Sequence, residues 1–297
     1  MNEFLIKKIC VAGSGTMGRQ IALCSAIHGI DTYLYDVSAT SLADAENWIN
    51  DYLAERIRKG RMTKEEVDAT REKIHVEADL TVAAENVQLL VEAIVERKDI
   101  KEAFFRQVSP LIPEDAVIAT NSSYLVSSLF CDAVTNPARL ANLHFFHPAL
   151  VMRLTEIVSG PHTAENTVKT LEAFSKAIGK TPVHVTKEVD GFVVNRLLRV
   201  FKEEAFWLVE NDVCSPQMID TAVELGLNHP LGPFKLTDMS GIDITYYQAK
   251  KRYEETGEKP KGFDMIQKKF EANELGRKTG RGFYDYTSDC KEKNKTK

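Results

Sequence analysis

Residues 8–36 read KICVAGSGTMGRQIALCSAIHGIDTYLYD, and the fold follows from how this stretch changes period. A short apolar run ends in glycines, a helix-length segment spans Thr16 to His28, and a second β-rich run, DTYLYD, follows. That is a β-α-β pattern. Gly13, Gly15 and Gly18 fall between the first strand and the helix, where a tight turn, close approach of backbone to a pyrophosphate and helix–strand packing all need glycine. The helix start, with Thr16 and Met17 in its first turn, offers free N–H groups and a partial positive charge to phosphates. Such a motif alone also fits an ordinary glycine-rich turn. Here the second strand ends at Asp36, at about the 20-residue separation expected of a carboxylate that binds an adenine-ribose 2′-hydroxyl. The same carboxylate repels a 2′-phosphate, and Val37 and Ser38 supply no arginine in its place. NAD is therefore favoured over NADP.

Further strands are expected in VQLLVEAI (87–94), AVIAT (116–120), RLANLHFF (139–146), RLTEIV (153–158) and TPVHV (181–185). From Ile100 through Phe104, Phe105 and Val108 to Ile112 the apolar positions repeat near the helical period. Alternating strands and helices imply an α/β fold around a mainly parallel sheet, a Rossmann-type domain over residues 1–186. After Val185 strand-like runs largely disappear, and Val194, Leu197, Leu198, Phe201, Ala205 and Leu208 share one helical face. An all-α C-terminal domain is expected over 187–297, with Ser215 and Pro216 starting one helix and Gly226 stopping it. The closing KEKNKTK is expected to fray.

A net charge of −5 provides no basic field for nucleic acid or anionic lipid, so neither is an expected partner. The N-terminus lacks a signal-peptide pattern and no apolar run reaches membrane-spanning length, which points to a cytoplasmic protein. Five scattered cysteines without a CxxC pair read as reduced packing residues.

The segments VAGSGTMGRQIA, LVEAIVER, ATNSS, HFFHPALVMRLTEIV, DGFVVNRLL, HPLGPFKLTDMSGID and GRKTGRGFYDY occur together in this order. In them the chain resembles the L-3-hydroxyacyl-CoA dehydrogenases, including the bacterial 3-hydroxybutyryl-CoA dehydrogenases, over about residues 5–286. The resemblance implies an NAD-dependent oxidoreductase acting on an acyl-CoA substrate, with a helical domain that supplies much of a homodimer contact.

Oxidising a secondary alcohol requires hydride removal by NAD and proton removal by a base, a task that suits histidine near neutral pH. By resemblance His144 is that base and Glu156, expected on a neighbouring strand, is the carboxylate that orients it. Without the resemblance His144 reads rather as a core histidine satisfied by backbone, and Glu156 as a solvated strand-end carboxylate. Ser122 matches the family serine that contacts substrate and cofactor, and it or its neighbour Ser123 also suits a helix N-cap. Asn195, which interrupts an apolar stripe, is expected to bind the substrate's hydroxyl or thioester carbonyl. Glu96, Lys101 and Lys278 match positions near NAD. The family usually has asparagine where this chain has His147, which is expected to keep a polar contact in its loop. Pairing His144 with His147 on a metal lacks a third ligand nearby, so no metal is expected. Basic residues of AERIRKGRMTKEE, including Arg58 and Lys59, suit either CoA phosphates or plain solvent. Two rivals stand beside this reading: a dehydrogenase of a free hydroxy acid of the L-gulonate or carnitine kind, and a non-catalytic NAD-binding protein of the crystallin kind.

Overall fold

The computed structural model describes residues 6–287. KEKNKTK and Cys290 lie outside the described residues. The chain divides into two compact units, one running through Val193 and the other beginning at Val194.

The first unit holds strands β1 (Lys8–Ala12), β2 (Asp31–Tyr35), β3 (Ile74–Glu77), β4 (Leu89–Glu92), β5 (Val117–Thr120), β6 (Leu140–Phe145), β7 (Leu154–Val158) and β8 (Thr181–Val185). They form one sheet in the order β3-β2-β1-β4-β5-β6-β7-β8, parallel throughout except where β6 meets β7. Helices α1 (Thr16–Ile27), α2 (Ala39–Arg58), α3 (Lys64–Arg71), α4 (Leu80–Ala84), α5 (Lys98–Val108) and α6 (Glu165–Ala177) cover it. Central strands are apolar on both faces because both are covered: Ile9, Val11, Leu89 and Val91 join one buried cluster, while Cys10, Ala12 and Leu90 join the other. The chain's direction of winding reverses between β1 and β4, which opens a crevice at the carboxyl ends of those strands.

Local chemistry sets the helix starts. Ser38 caps α2 by accepting from the Ser41 amide at 3.2 Å, and Thr63 and Glu66 form a reciprocal capping box at α3. Each such cap contributes about 1 kcal/mol. The seven strands expected from sequence are present, and β3, which was not expected, lies at the sheet edge as a short, half-buried strand.

The second unit is helical: α7 (Val194–Glu210), α8 (Pro216–Gly226), α9 (Pro233–Ser240), α10 (Ile242–Thr256) and α11 (Phe263–Glu271). Its core gathers Ala205, Phe206, Ile219, Phe234, Ile242, Phe263, Ile266 and Phe283. Ser215 caps α8 and Pro216 occupies its first turn, as expected. The apolar face expected along α7 is only partly buried, since Ala205 and Phe206 enter the core whereas Leu197 is 66% exposed. Two buried acids join segments distant in sequence. Asp220 accepts from the Phe234 and Lys235 amides, and Asp238 accepts from the Phe283 and Tyr284 amides, each at 2.9 Å. Desolvation pushes the Asp238 carboxyl above its usual range, against the lowering by those amides. Cys10 and Cys24 are buried free thiols, and Cys131 and Cys214 are half-buried free thiols. Among the described residues no helix is long and apolar enough to cross a membrane.

Candidate active site

The end of β1 and the glycine turn are tied on both sides: Gly13 donates its amide to Tyr35 O on β2, and Ala93 donates to Ala12 O, each at 2.7 Å. A side chain on Gly13 would run into the Ala93 carbonyl, and one on Gly18 would collide with the Gly13 carbonyl oxygen. Gly15 differs, because a Cβ there meets nothing within 4 Å. Gly15 is the N-cap of α1, no side chain caps it, and no acidic residue sits in the first turn. The open space and the unpartnered amides together form a cradle suited to a pyrophosphate. Asp36 ends β2 as an acceptor held in place: Oδ2 takes the Ser14 amide at 2.8 Å and the Ser14 hydroxyl at 2.9 Å, and Oδ1 takes the Ser38 amide at 3.0 Å. An ionised carboxylate in this setting can accept further hydrogen bonds from ribose hydroxyls. These residues fit NAD.

A cavity of about 280 Å³ lies farther along the crevice, lined among others by Met17, Glu96, Lys101, Asn121, Ser122 and Ser123. Lys101 is buried at its wall, 3.2 Å from Glu96, and Ser122 donates to Glu96 Oε2 at 2.7 Å. Behind Lys101, Glu92 closes β4. Its Oε1 accepts from Lys101 Nζ at 2.5 Å and from the Ile94 amide at 2.8 Å, while Oε2 accepts from the Thr120 hydroxyl at 2.7 Å. Burial pushes the Glu92 carboxyl up, and the Lys101 ammonium opposes that shift.

The antiparallel pairing of β6 with β7 puts His144 directly opposite Glu156. His144 Nδ1 lies 2.9 Å from Glu156 Oε2, and its Nε2 lies 3.0 Å from Ser123 Oγ. An ionised carboxylate can only accept, so Nδ1 carries the proton and Nε2 presents its lone pair. Both partners are fully buried or nearly so, at 0% exposure for Glu156 and 3% for His144. The second Glu156 oxygen accepts the Val193 amide at 3.0 Å. That amide is aimed by a turn in which Gly191 and Phe192 both adopt positive φ, 72° and 49°. Such a conformation is costly for phenylalanine and persists only where surrounding packing enforces it. The same turn buries the Phe192 ring, which meets the His144 ring edge-on at 5.5 Å, while Phe146 meets it at 4.6 Å. A histidine with one nitrogen fixed by a carboxylate and the other open to a hydroxyl is arranged to exchange a proton with an alcohol.

The loop that carries Ser122 and Ser123 is fastened by two asparagines. Asn121 Oδ1 accepts the Phe145 amide at 2.9 Å, and Asn142 accepts from the Ser127 amide at 2.8 Å and donates to Leu125 O at 3.0 Å. Lys180 secures the β6–β7 connection by donating to Ala149 O and Met152 O.

The structure thus brings together His144, Glu156 and Ser123 at one point, and Glu96, Lys101 and Ser122 at another along the same cavity. Of the two serines, Ser122 faces Glu96, and Ser123 is the one against His144. Both lie in the loop that follows β5, whose course no spacing rule fixes in advance. Asn195 and Lys278 belong to the second unit. Asn195 lies half-buried in the first turn of α7, and Lys278 pairs with Asp243 at 2.5 Å. His147 corrects an expectation: it is exposed, its peptide bond to Pro148 is cis, and it has no hydrogen-bond partner among the described residues. Arg58 and Lys59 are exposed and pair with Glu55. Arg56 of the same stretch belongs to a cluster whose other members, Arg19, Trp48 and Tyr52, sequence reasoning missed. Arg19 stacks over Trp48 at 4.7 Å, Arg56 over Tyr52 at 5.4 Å, and the buried Nε of each arginine has no partner among the described residues.

Comparison with known proteins shows the family. The family model "3-hydroxyacyl-CoA dehydrogenase, NAD binding domain" matches residues 8–189, and "3-hydroxyacyl-CoA dehydrogenase, C-terminal domain" matches 191–286. The chain is 36% identical to 3-hydroxybutyryl-CoA dehydrogenase of Clostridioides difficile, across 94% of this chain and 99% of that protein. It is 34% identical to 3-hydroxyadipyl-CoA dehydrogenase of Escherichia coli over 96% of its own length, but spans only 60% of that longer relative. The crystal structure of (S)-3-hydroxybutyryl-CoA dehydrogenase from Ralstonia eutropha superposes with a TM-score of 0.87 at 31% identity, covering 95% of this chain and all of that one. The chain belongs to the 3-hydroxyacyl-CoA dehydrogenase family, a family of NAD-dependent oxidoreductases.

Proposed function

We propose that this chain reversibly interconverts an L-3-hydroxyacyl-CoA and the matching 3-oxoacyl-CoA, with short chains such as 3-hydroxybutyryl-CoA preferred. The observation that carries the reading is the Ser123–His144–Glu156 relay beside the cavity that continues from the glycine turn. Bound NAD supplies the acceptor for the hydride that leaves carbon 3. His144 Nε2 takes the hydroxyl proton of that carbon and returns it in the reverse direction. Glu156 keeps the proton on Nδ1 fixed and stabilises the imidazolium, and the Val193 amide holds Glu156 in turn. Ser123 marks the place of the reacting oxygen by its hydrogen bond to Nε2. Asn195 is assigned to the substrate, and Glu96, Lys101, Ser122 and Lys278 to the cofactor.

The names of the relatives from Clostridioides difficile and Ralstonia eutropha support a short acyl chain. Stacked Trp48 and Tyr52, 5.4 Å apart between centroids, with Arg19 and Arg56 suit the adenine and phosphates of CoA better than Arg58 and Lys59 do. Exposed Leu197, Val200 and Trp207 form a stripe at helical spacing on α7, in keeping with a homodimer. The reading is that of a cytoplasmic enzyme of fatty-acid or butyrate metabolism. Its test is NADH oxidation with 3-oxoacyl-CoAs of increasing length beside free 3-oxo acids. Turnover of acetoacetyl-CoA is expected; turnover of the free acids alone would move the assignment to a hydroxy-acid dehydrogenase.

A further inference from the structure

Lys101 is buried to 1% of its side-chain surface between two carboxylates of different character. Glu96 is 42% exposed and lines the cavity, whereas Glu92 is wholly buried and does not line it. Every group that touches Glu92 is a donor. An ammonium and a backbone N–H occupy Oε1, and the Thr120 hydroxyl, which accepts the Ser122 amide on its own oxygen, donates to Oε2. This arrangement fits only the ionised carboxylate without rearrangement. Two carboxylates and one ammonium therefore leave one net negative charge at the cavity wall, with Glu92 and Lys101 screened from water and Glu96 half exposed. Glu92 cancels the charge of Lys101 from behind, so the cavity meets Glu96 uncompensated.

The hydride acceptor must lie within reach of the carbon whose hydroxyl meets His144, so on the functional reading above this cavity beside Ser123 would hold the nicotinamide half of the cofactor. The oxidised ring is positively charged and the reduced ring is neutral. The geometry points to Glu92 as a positioning residue that biases the site toward the oxidised cofactor: it holds Lys101 in place and keeps the net charge of the cluster negative. A charge in a low-dielectric setting acts over several ångströms, and here it acts differently on the two redox forms. A purely structural role would change both affinities together.

The test titrates the purified protein with NADH by fluorescence and with NAD⁺ by competition, and follows the ratio of the NAD⁺ to the NADH dissociation constant. In Glu92→Gln, a near-isosteric change that neutralises the buried member, the ratio is expected to rise about tenfold. In Glu92→Gln combined with Lys101→Gln the net charge returns to its original value, and the ratio is expected to fall back to within about twofold of wild type whatever the loss of overall affinity. If Glu92→Gln does not fold, Glu96→Gln removes the same charge from the exposed member and must move the ratio in the same direction. An unchanged ratio in a variant that binds both nucleotides overturns the role of Glu92 alone. Failure of the wild-type protein to bind either nucleotide overturns the functional reading itself.

Discussion

His144 and Glu156 face each other across the one antiparallel seam of an otherwise parallel sheet, with Nδ1 and Oε2 2.9 Å apart. Register alone brings them together, since β6 and β7 pair residue 144 with residue 156 as directly opposed neighbours. The pair is buried, and the carboxylate's other oxygen accepts the Val193 amide. His144, Glu156 and the strained turn at Phe192 thus form one unit.

Replacing His144 tests its proposed role as base apart from binding. In His144→Gln, kcat for NADH-dependent reduction of acetoacetyl-CoA is expected to fall about a thousandfold. The cofactor cradle at Gly15 and Asp36 is untouched, so the NADH dissociation constant should remain within about threefold by the cost of a lost distant contact. Stopped-flow turnover and a fluorescence titration on the same preparation check both statements. Unchanged turnover would remove His144 from the mechanism.

The two adjacent serines should separate kinetically. Ser123→Ala removes the hydroxyl against His144 Nε2, and kcat is expected to drop about tenfold or more with NADH binding preserved. Ser122→Ala removes the hydrogen bond to Glu96, and the NADH dissociation constant is expected to rise about tenfold with a smaller effect on kcat. Steady-state kinetics with both substrates varied distinguishes the two. The reverse pattern would interchange the roles assigned to these residues.

What the sequence made legible follows from what is periodic or local. The glycine turn, Asp36 and seven strands have signatures within a few residues of themselves. β3 escaped because IHVE is short, half-buried and at an edge, so neither a continuous apolar run nor a turn signal marks it. The His144–Glu156 pairing needed the antiparallel register of β6 and β7, and the Ser123 contact needed the direction of a loop that Asn142 fastens from the neighbouring strand. The Glu92–Lys101–Glu96 cluster joins a strand end, a helix and the loop between them; resemblance placed Glu96 and Lys101 near NAD, whereas Glu92, inside an apolar strand, carried no signal of its own. On α7, apolar periodicity identified the helix and its stripe but could not tell that Leu197 remains exposed.

Glycines of the turn should divide into those needed for the fold and one needed for the ligand. Gly18→Ala forces a Cβ into the Gly13 carbonyl and is expected to abolish soluble, folded protein or cofactor binding altogether. Gly15→Ala meets open space at an ordinary φ of −62°, so its Tm should fall by no more than about 4 °C, the cost of a poorer N-cap. Its NADH affinity is nevertheless expected to fall about tenfold or more, because the methyl group fills the space meant for the pyrophosphate. Calorimetry and NADH titration of the two variants check the division. A Gly15→Ala protein with full affinity would show that the cradle does not hold the phosphates.

Acid stability should depend on a histidine outside the relay. His162 lies 3.4 Å from the Ser127 hydroxyl, beside Glu188, which caps the same segment through the Ser127 hydroxyl and the Ser128 amide, each at 2.9 Å. Burial holds the His162 imidazole below its ordinary value of 6.5, although the Glu188 charge pulls it back upward. Below pH 6.5 the unfolded chain therefore takes up a proton that the folded chain resists. The contribution of this residue to stability is complete above that pH and is lost as pH falls through the lowered value. His162→Gln keeps a donor for Ser127 and removes the titration. Between pH 7 and pH 5 its Tm should decline less than that of the wild-type protein, by a difference on the order of 2 °C. Melting curves across that range test the sign directly, because carboxylates elsewhere titrate alike in both proteins and cancel in the comparison. A steeper decline in the variant would mean that Glu188 dominates and that the protonated imidazole stabilises this segment.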